Sequence, residues 1–184
     1  MRSFDYQPFY CEENVVRLLA HPRLAARRRF ALFITSPSRS VAVWDQRAGV
    51  PGEALVWDYH VIAVTLAPAL VWDLDTRLSL PFDLAKYMDR SFQPLEDERL
   101  LPWFRLVPED ELTRTFATDR RHMRDPTGSF IAPPPPWPSV GVGHTLDRYL
   151  DIEDPIAGAW FKGVGPLLTA LEDREQNDRG GRRT

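Results

Sequence analysis

The stretch Ala54-Leu55-Val56-Trp57-Asp58-Tyr59-His60-Val61-Ile62-Ala63-Val64-Thr65-Leu66 is followed, across Ala67-Pro68, by Ala69-Leu70-Val71-Trp72-Asp73-Leu74-Asp75. Both runs are rich in Val, Ile, Trp and Tyr, residue types that suit a pleated, half-buried surface. The short proline-containing connection makes an antiparallel hairpin the natural reading. With its turn centred between Leu66 and Ala67, the pairing sets His60 directly opposite Asp73. Opposed residues share a sheet face with Cβ atoms about 4.5–5.5 Å apart, so a carboxylate there can fix the tautomer of an imidazole. Asp75 alternates onto the same face and is a rival partner. Asp58, two residues before His60, shares that face and would line a pocket.

Outward from this hairpin, Phe30–Thr35 and Val41–Trp44 read as further strands, with Ser36–Arg39 a turn and Arg47–Glu53 a loop. Glu12–Leu19 has apolar Val15, Val16, Leu18 and Leu19 behind an acidic first turn, the pattern of a helix that Pro22 ends. Leu84–Phe92 and Glu109–Phe116 read as helices, and Gln93–Pro108 as irregular chain anchored by Trp103 and Phe104. Pro133-Pro134-Pro135-Pro136-Trp137-Pro138 is extended and reads as a rigid strap across the surface. Thr145–Leu150 and Leu167–Glu172 are short terminal helices. The reading is one domain over residues 1–173 and a polar, disordered tail over 174–184.

Composition bounds the function. The 184 residues suffice for one hydrophobic core, and 43% hydrophobic with 27% charged residues is ordinary for a globular protein. A net charge of −3 gives no global basic field for nucleic acid or an anionic membrane. No apolar run approaches the roughly 20 residues of a membrane span, and the N-terminus lacks the apolar core of a secretory signal. The single cysteine, Cys11, allows no internal disulfide. The expectation is a cytoplasmic single-domain protein.

Cys11 stands directly before the first helix, near its unsatisfied N–H groups and positive dipole end. That setting predicts a lowered thiol pKa and a nucleophilic thiolate. A lone cysteine is otherwise a small buried apolar residue. His21, His122 and His144 read as structural histidines. No histidine or cysteine spacing matches a zinc site, and no metal or organic cofactor is expected.

The words around these residues resemble a known family. Trp57-Asp58-Tyr59-His60-Val61 is the signature of the WDYHV family of protein N-terminal glutamine amidohydrolases. Tyr10-Cys11-Glu12-Glu13-Asn14-Val15 resembles its nucleophile segment, and Asp73-Leu74-Asp75-Thr76 with Leu80-Pro81-Phe82 its aspartate segment. Phe116–Met123 and the proline strap resemble two more stretches. Trp72 departs from the family, which has Tyr before the aspartate. The resemblance implies a papain-like or transglutaminase-like α/β fold, with a nucleophile helix packed on a central antiparallel sheet and flanking helices. It implies Cys11 as nucleophile, His60 as base and Asp73, rather than Asp75, as orienting acid. The substrate it implies is a protein or peptide with N-terminal glutamine, and the state it implies is a monomer. Glu12, Asp58 and Asp119 are candidates to read the substrate α-ammonium because they lie in matched segments. The chain lacks the Cys-Gly-Ser/Ala-Cys-Trp pattern of papain-type proteases. The rivals are a deamidase or transglutaminase for internal glutamine, and a non-catalytic module that binds N-termini.

Overall fold

The computed structural model describes residues 4–156 and 158–181. A six-stranded antiparallel sheet is sandwiched between helices. Its strands are β1 (Arg28–Thr35), β4 (His60–Leu66), β5 (Leu70–Trp72), β6 (Phe82–Asp83), β7 (Trp103–Pro108) and β8 (Trp160–Lys162). They lie in the order β6-β5-β4-β1-β7-β8. A separate two-stranded ribbon pairs β2 (Val41–Val43) with β3 (Leu55–Trp57).

Alternation along β1 and β4 builds two cores. Ala31, Phe33, Val61 and Ala63 face one side, packing with Val15, Leu18 and Leu19 of α1 (Cys11–Leu19). Leu112 of α3 (Glu109–Thr115) and Leu146, Tyr149 and Leu150 of α4 (Leu146–Leu150) complete that layer. Phe30, Leu32, Ile34, Ile62 and Val64 face the other side. There they meet Leu84, Tyr87 and Met88 of α2 (Leu84–Ser91), and Leu167 and Leu171 of α5 (Val164–Gly181). A central sheet buried on both faces explains why β4 is buried along its whole length, a near-continuous apolar run. Each such large apolar side chain contributes roughly 1.5–3 kcal/mol of burial.

Four expectations need correcting. The run 54–66 is two strands, because the chain leaves the ribbon at Trp57 and enters the main sheet at His60. The break is held by Thr35 Oγ1 donating to Asp58 O at 2.7 Å and by the Asp58 carboxylate accepting from Tyr59 N at 3.0 Å. The hairpin turn lies one residue further along than expected: Ala63 pairs with Trp72 and Thr65 with Leu70. Extended by that register, His60 faces position 75, and Asp73 is its diagonal neighbour on the same face. A two-residue shift of partner preserves the face, whereas a one-residue slip would have reversed it. The segment taken as irregular contains β7, which pairs with β1 in the middle of the sheet. Its pattern is broken by Arg105, wholly buried because its guanidinium donates to the carbonyls of Arg148, Asp151 and Asp154 and lies 4.6 Å over the Trp160 ring. Finally, α5 continues through the expected tail to Gly181, anchored where Glu175 accepts from Ala67 N at 2.9 Å. Residues 182–184 lie outside the described residues. Among the described residues, no helix is long and apolar enough to cross a membrane.

Candidate active site

The site forms at one end of the sheet, where α1 begins and β4 starts. Phe9 takes a left-handed turn (φ 69°), and Asn14 locks the segment by accepting from Gln7 N at 2.9 Å and donating to Gln7 O at 2.8 Å. Tyr10 then caps the helix without a side-chain bond, so Cys11 is its first residue. The proline strap, expected only to cross the surface, braces this end. Tyr10 Oη donates to Ala132 O at 3.0 Å and Gln7 to Pro133 O at 2.9 Å. Glu13 accepts a bidentate pair from Arg120 at 2.6 and 2.8 Å and a third bond from Trp137 Nε1 at 2.9 Å. Arg120 in turn donates to Trp137 O at 2.7 Å. Cys11 packs with Val61 of β4 in the same core, which joins the helix start to the sheet.

His60 is buried and stacks against Trp57, the rings 5.9 Å apart and 12° from parallel. Its Nε2 stands 3.0 Å from Asp73 Oδ1. Asp73, with no exposed surface, also accepts from Gln46 Nε2 (3.0 Å), Tyr87 Oη (2.8 Å) and Asp75 N (2.9 Å). Burial alone would raise the Asp73 pKa, but the imidazole and these donors outweigh it and hold the carboxyl below its usual range. Burial likewise works against a charged His60, yet Asp73 and then Asp75 outweigh it, and the imidazole pKa is raised. His60, Asp73 and Asp75 are also the one group among the described residues whose carboxylate and imidazole atoms come within 4.8 Å of one another, as a metal would need. The oxygens of Asp73 are already taken by four donors, so the arrangement is that of an imidazole-orienting network.

A small cavity, about 160 Å³, is lined by Cys11, Trp57, Asp58, His60 and Asp75 together with His122. The cavity is below the roughly 300–1,000 Å³ of drug-sized ligand sites, a size suited to one residue. Among its lining charges three carboxylates, Asp58, Asp75 and Asp147, outnumber a single guanidinium, Arg39. This corrects the expected thiol: burial, then Glu12 and Asp75, push the Cys11 pKa well up, and the Val61 N–H only partly opposes them. A helix N-terminus cannot lower a thiol pKa against full burial among carboxylates.

The structure brings Cys11, His60, Asp58 and Asp75 to one cavity, with Asp73 behind His60. Glu12 sits behind the cavity wall, touching Cys11 Sγ (3.7 Å), Tyr59 Oη (3.0 Å) and His122 Nε2 (3.3 Å). It does not bring Asp119 there: that carboxylate is gripped by Arg121 at 2.6–3.0 Å, which lowers its pKa to about 2. Gln46 and Tyr87 escaped the sequence reading. Tyr87 gives the weaker of signals, a buried hydroxyl on the apolar face of α2 that needs a partner; Gln46, in a loop, gives none. His122, read as structural, lines the cavity, whereas His21 is structural, its Nδ1 accepting from Arg23 N at 3.2 Å.

Residues 6–172 match the family model described as N-terminal glutamine amidase. The chain belongs to this family. It is 37% identical over 168 residues to the protein N-terminal glutamine amidohydrolase of Arabidopsis thaliana, covering 80% of this chain and 75% of that one. The Drosophila melanogaster protein of the same name is 37% identical over 180 residues, 91% of this chain and 85% of its own. The human protein of that name is 30% identical over 176 residues, 91% and 84% respectively. As an N-terminal glutamine amidase family member, the chain carries its sole cysteine within the matched region and at the cavity.

Proposed function

We propose that this chain hydrolyses the side-chain amide of an N-terminal glutamine, giving N-terminal glutamate and ammonia, with Cys11 as nucleophile, His60 as general base and acid, and Asp73 as the group that orients it. The observation that carries the reading is the 3.0 Å contact of His60 Nε2 with a fully buried Asp73, beside a cavity that His60 shares with the chain's sole cysteine. Nε2 bound to Asp73 leaves Nδ1 to serve the thiol, the logic of a triad. Family membership, and the names of the relatives, supply the amide and the N-terminus.

The chemistry follows in two steps. Nδ1 takes the Cys11 proton as sulfur attacks the amide carbon, forming the S–C bond. The C–N bond then breaks, the proton passes to nitrogen, and ammonia leaves a γ-glutamyl thioester. In the second step Nδ1 takes a proton from water. The hydroxyl oxygen bonds to the carbonyl carbon, the S–C bond breaks, and the proton returns to sulfur. The unpaired N–H groups of the first turn of α1, that of Cys11 foremost, are the donors for the oxyanion in both steps. Because burial keeps the resting thiol protonated, transfer to His60 accompanies attack. Asp58 and Asp75 on the cavity wall add to a negative setting that favours a substrate carrying an α-ammonium, which an internal glutamine lacks.

Three peptides test this, bearing N-terminal Gln, N-terminal Asn or internal Gln alone, with ammonia and product mass as readouts. Release confined to the first is expected. Release from the internal glutamine would move the chain to a general glutamine deamidase. No release at all, with an unreactive Cys11, would make it a binding module.

A further inference from the structure

Glu12 is an anomaly in energetic terms. It is 1% exposed, yet Oε1 has no hydrogen-bond partner, and Oε2 accepts from Tyr59 Oη at 3.0 Å with the Cys11 thiol 3.7 Å away. His122 Nε2 stands 3.3 Å from Oε1 without forming a bond, and both its ring nitrogens are themselves unpartnered. The Arg120 guanidinium is already held by the bidentate grip of Glu13. A buried carboxylate without its cation is costly, and an unpaired polar atom beside a nucleophile calls for an explanation. Its charge also acts against the chemistry: Glu12, with Asp75 and Asp58, disfavours a thiolate on Cys11. From β4, the Val61 backbone N–H opposes this.

Resting on the function proposed above, we propose that Glu12 is the charge that selects for a free N-terminus, the missing cation being the substrate's own α-ammonium. The geometry has the right scale. In glutamine the α-nitrogen and the amide carbon are four bonds apart, about 4–5 Å. An ammonium held at the wall formed by Tyr59 and His122 therefore lies close to Glu12 while the amide carbon meets Cys11. Arrival of the ammonium cancels the negative field at the sulfur at the moment the amide is in place. A glutamine whose α-nitrogen is acylated leaves that field intact and finds a protonated thiol. Glu12 thus acts as a positioning and specificity residue through charge, behind side chains that line the cavity.

The test is Glu12→Gln, which preserves an oxygen for Tyr59 and removes the charge. Cys11 is the only cysteine, so iodoacetamide alkylation reads this thiol alone. Without substrate near neutral pH, E12Q should alkylate about tenfold faster than wild type, the effect of removing a unit charge a few ångströms away. The kcat/KM ratio for an N-terminal-Gln peptide over the same peptide N-acetylated should fall at least about tenfold. An unchanged alkylation rate, or a parallel loss on both peptides, would overturn the proposal and leave Glu12 a packing residue. Tyr59→Phe separates charge from loosening. It leaves Glu12 charged with one donor fewer and should slow alkylation; a Y59F enzyme that alkylates faster, as E12Q does, overturns the proposal. If wild type deamidates no peptide the proposed function fails, while the alkylation comparison still reads the charge of Glu12.

Discussion

Two acid–imidazole pairs flank the cavity, and they are built in opposite ways. In His60–Asp73 every carboxylate lone pair that matters is met, by an imidazole, an amide, a phenol and a backbone N–H. In Glu12–His122 the two groups approach to 3.3 Å but leave Oε1 and both ring nitrogens unpartnered. A saturated network has one low-energy arrangement, which suits a base that must keep one tautomer and one direction. An unsaturated one is unstable until something joins it, which suits a group waiting for a substrate. The same residue types serve fixed orientation or recognition according to whether their hydrogen bonds are complete.

The largest break in this contrast is expected from Asp73→Asn. The amide can still accept from Tyr87 but offers His60 the wrong partner, so the imidazole turns to the other tautomer. Turnover of an N-terminal-Gln peptide should fall on the order of 10³–10⁴-fold with the fold retained by circular dichroism. Near-normal turnover would pass the orienting role to Asp75. Next in size is the roughly tenfold response of E12Q described above, which should appear in selectivity and thiol reactivity rather than in folding.

The smallest effect is on stability, and its sign is fixed by the two pKa shifts. The lowered Asp73 pKa gives stability present above the carboxyl's ordinary 3.8 and lost as pH falls through its folded value. The raised His60 pKa gives stability present below the ordinary 6.5 and lost as pH rises through its folded value. The Tm advantage of wild type over D73N should therefore be widest between pH 3.8 and 6.5 and narrow above it. An advantage that grows from pH 7 to 9 would contradict the pairing.

Much of this was legible in the residues. The α1 helix, the hairpin and the shared face of His60 and Asp73 follow from apolar periodicity and a proline turn, both local signals. The exact register did not, because a turn centre one residue along leaves the composition of both strands unchanged, and the face survived only because the partner moved by two. Strand β7 was hidden since a buried arginine breaks its apolar pattern, and only distant carbonyls of Arg148, Asp151 and Asp154 make that burial tolerable. The thiol was misjudged for a related reason. Helix position can be read along the chain, but burial and the company of Asp75 are tertiary facts. Gln46 reaches the site from a loop and His122 from a single 3-10 turn (Arg121–Met123), segments too short for periodicity to encode their paths.

The central claim is that Cys11 carries the acyl group of an N-terminal glutamine. Wild type mixed with an N-terminal-Gln peptide, quenched in acid within the first turnover and digested, should yield the Cys11 fragment heavier by the peptide mass less ammonia. Cys11→Ala should give neither adduct nor ammonia. Ammonia release by the alanine variant, or an adduct on any other residue, would contradict the account.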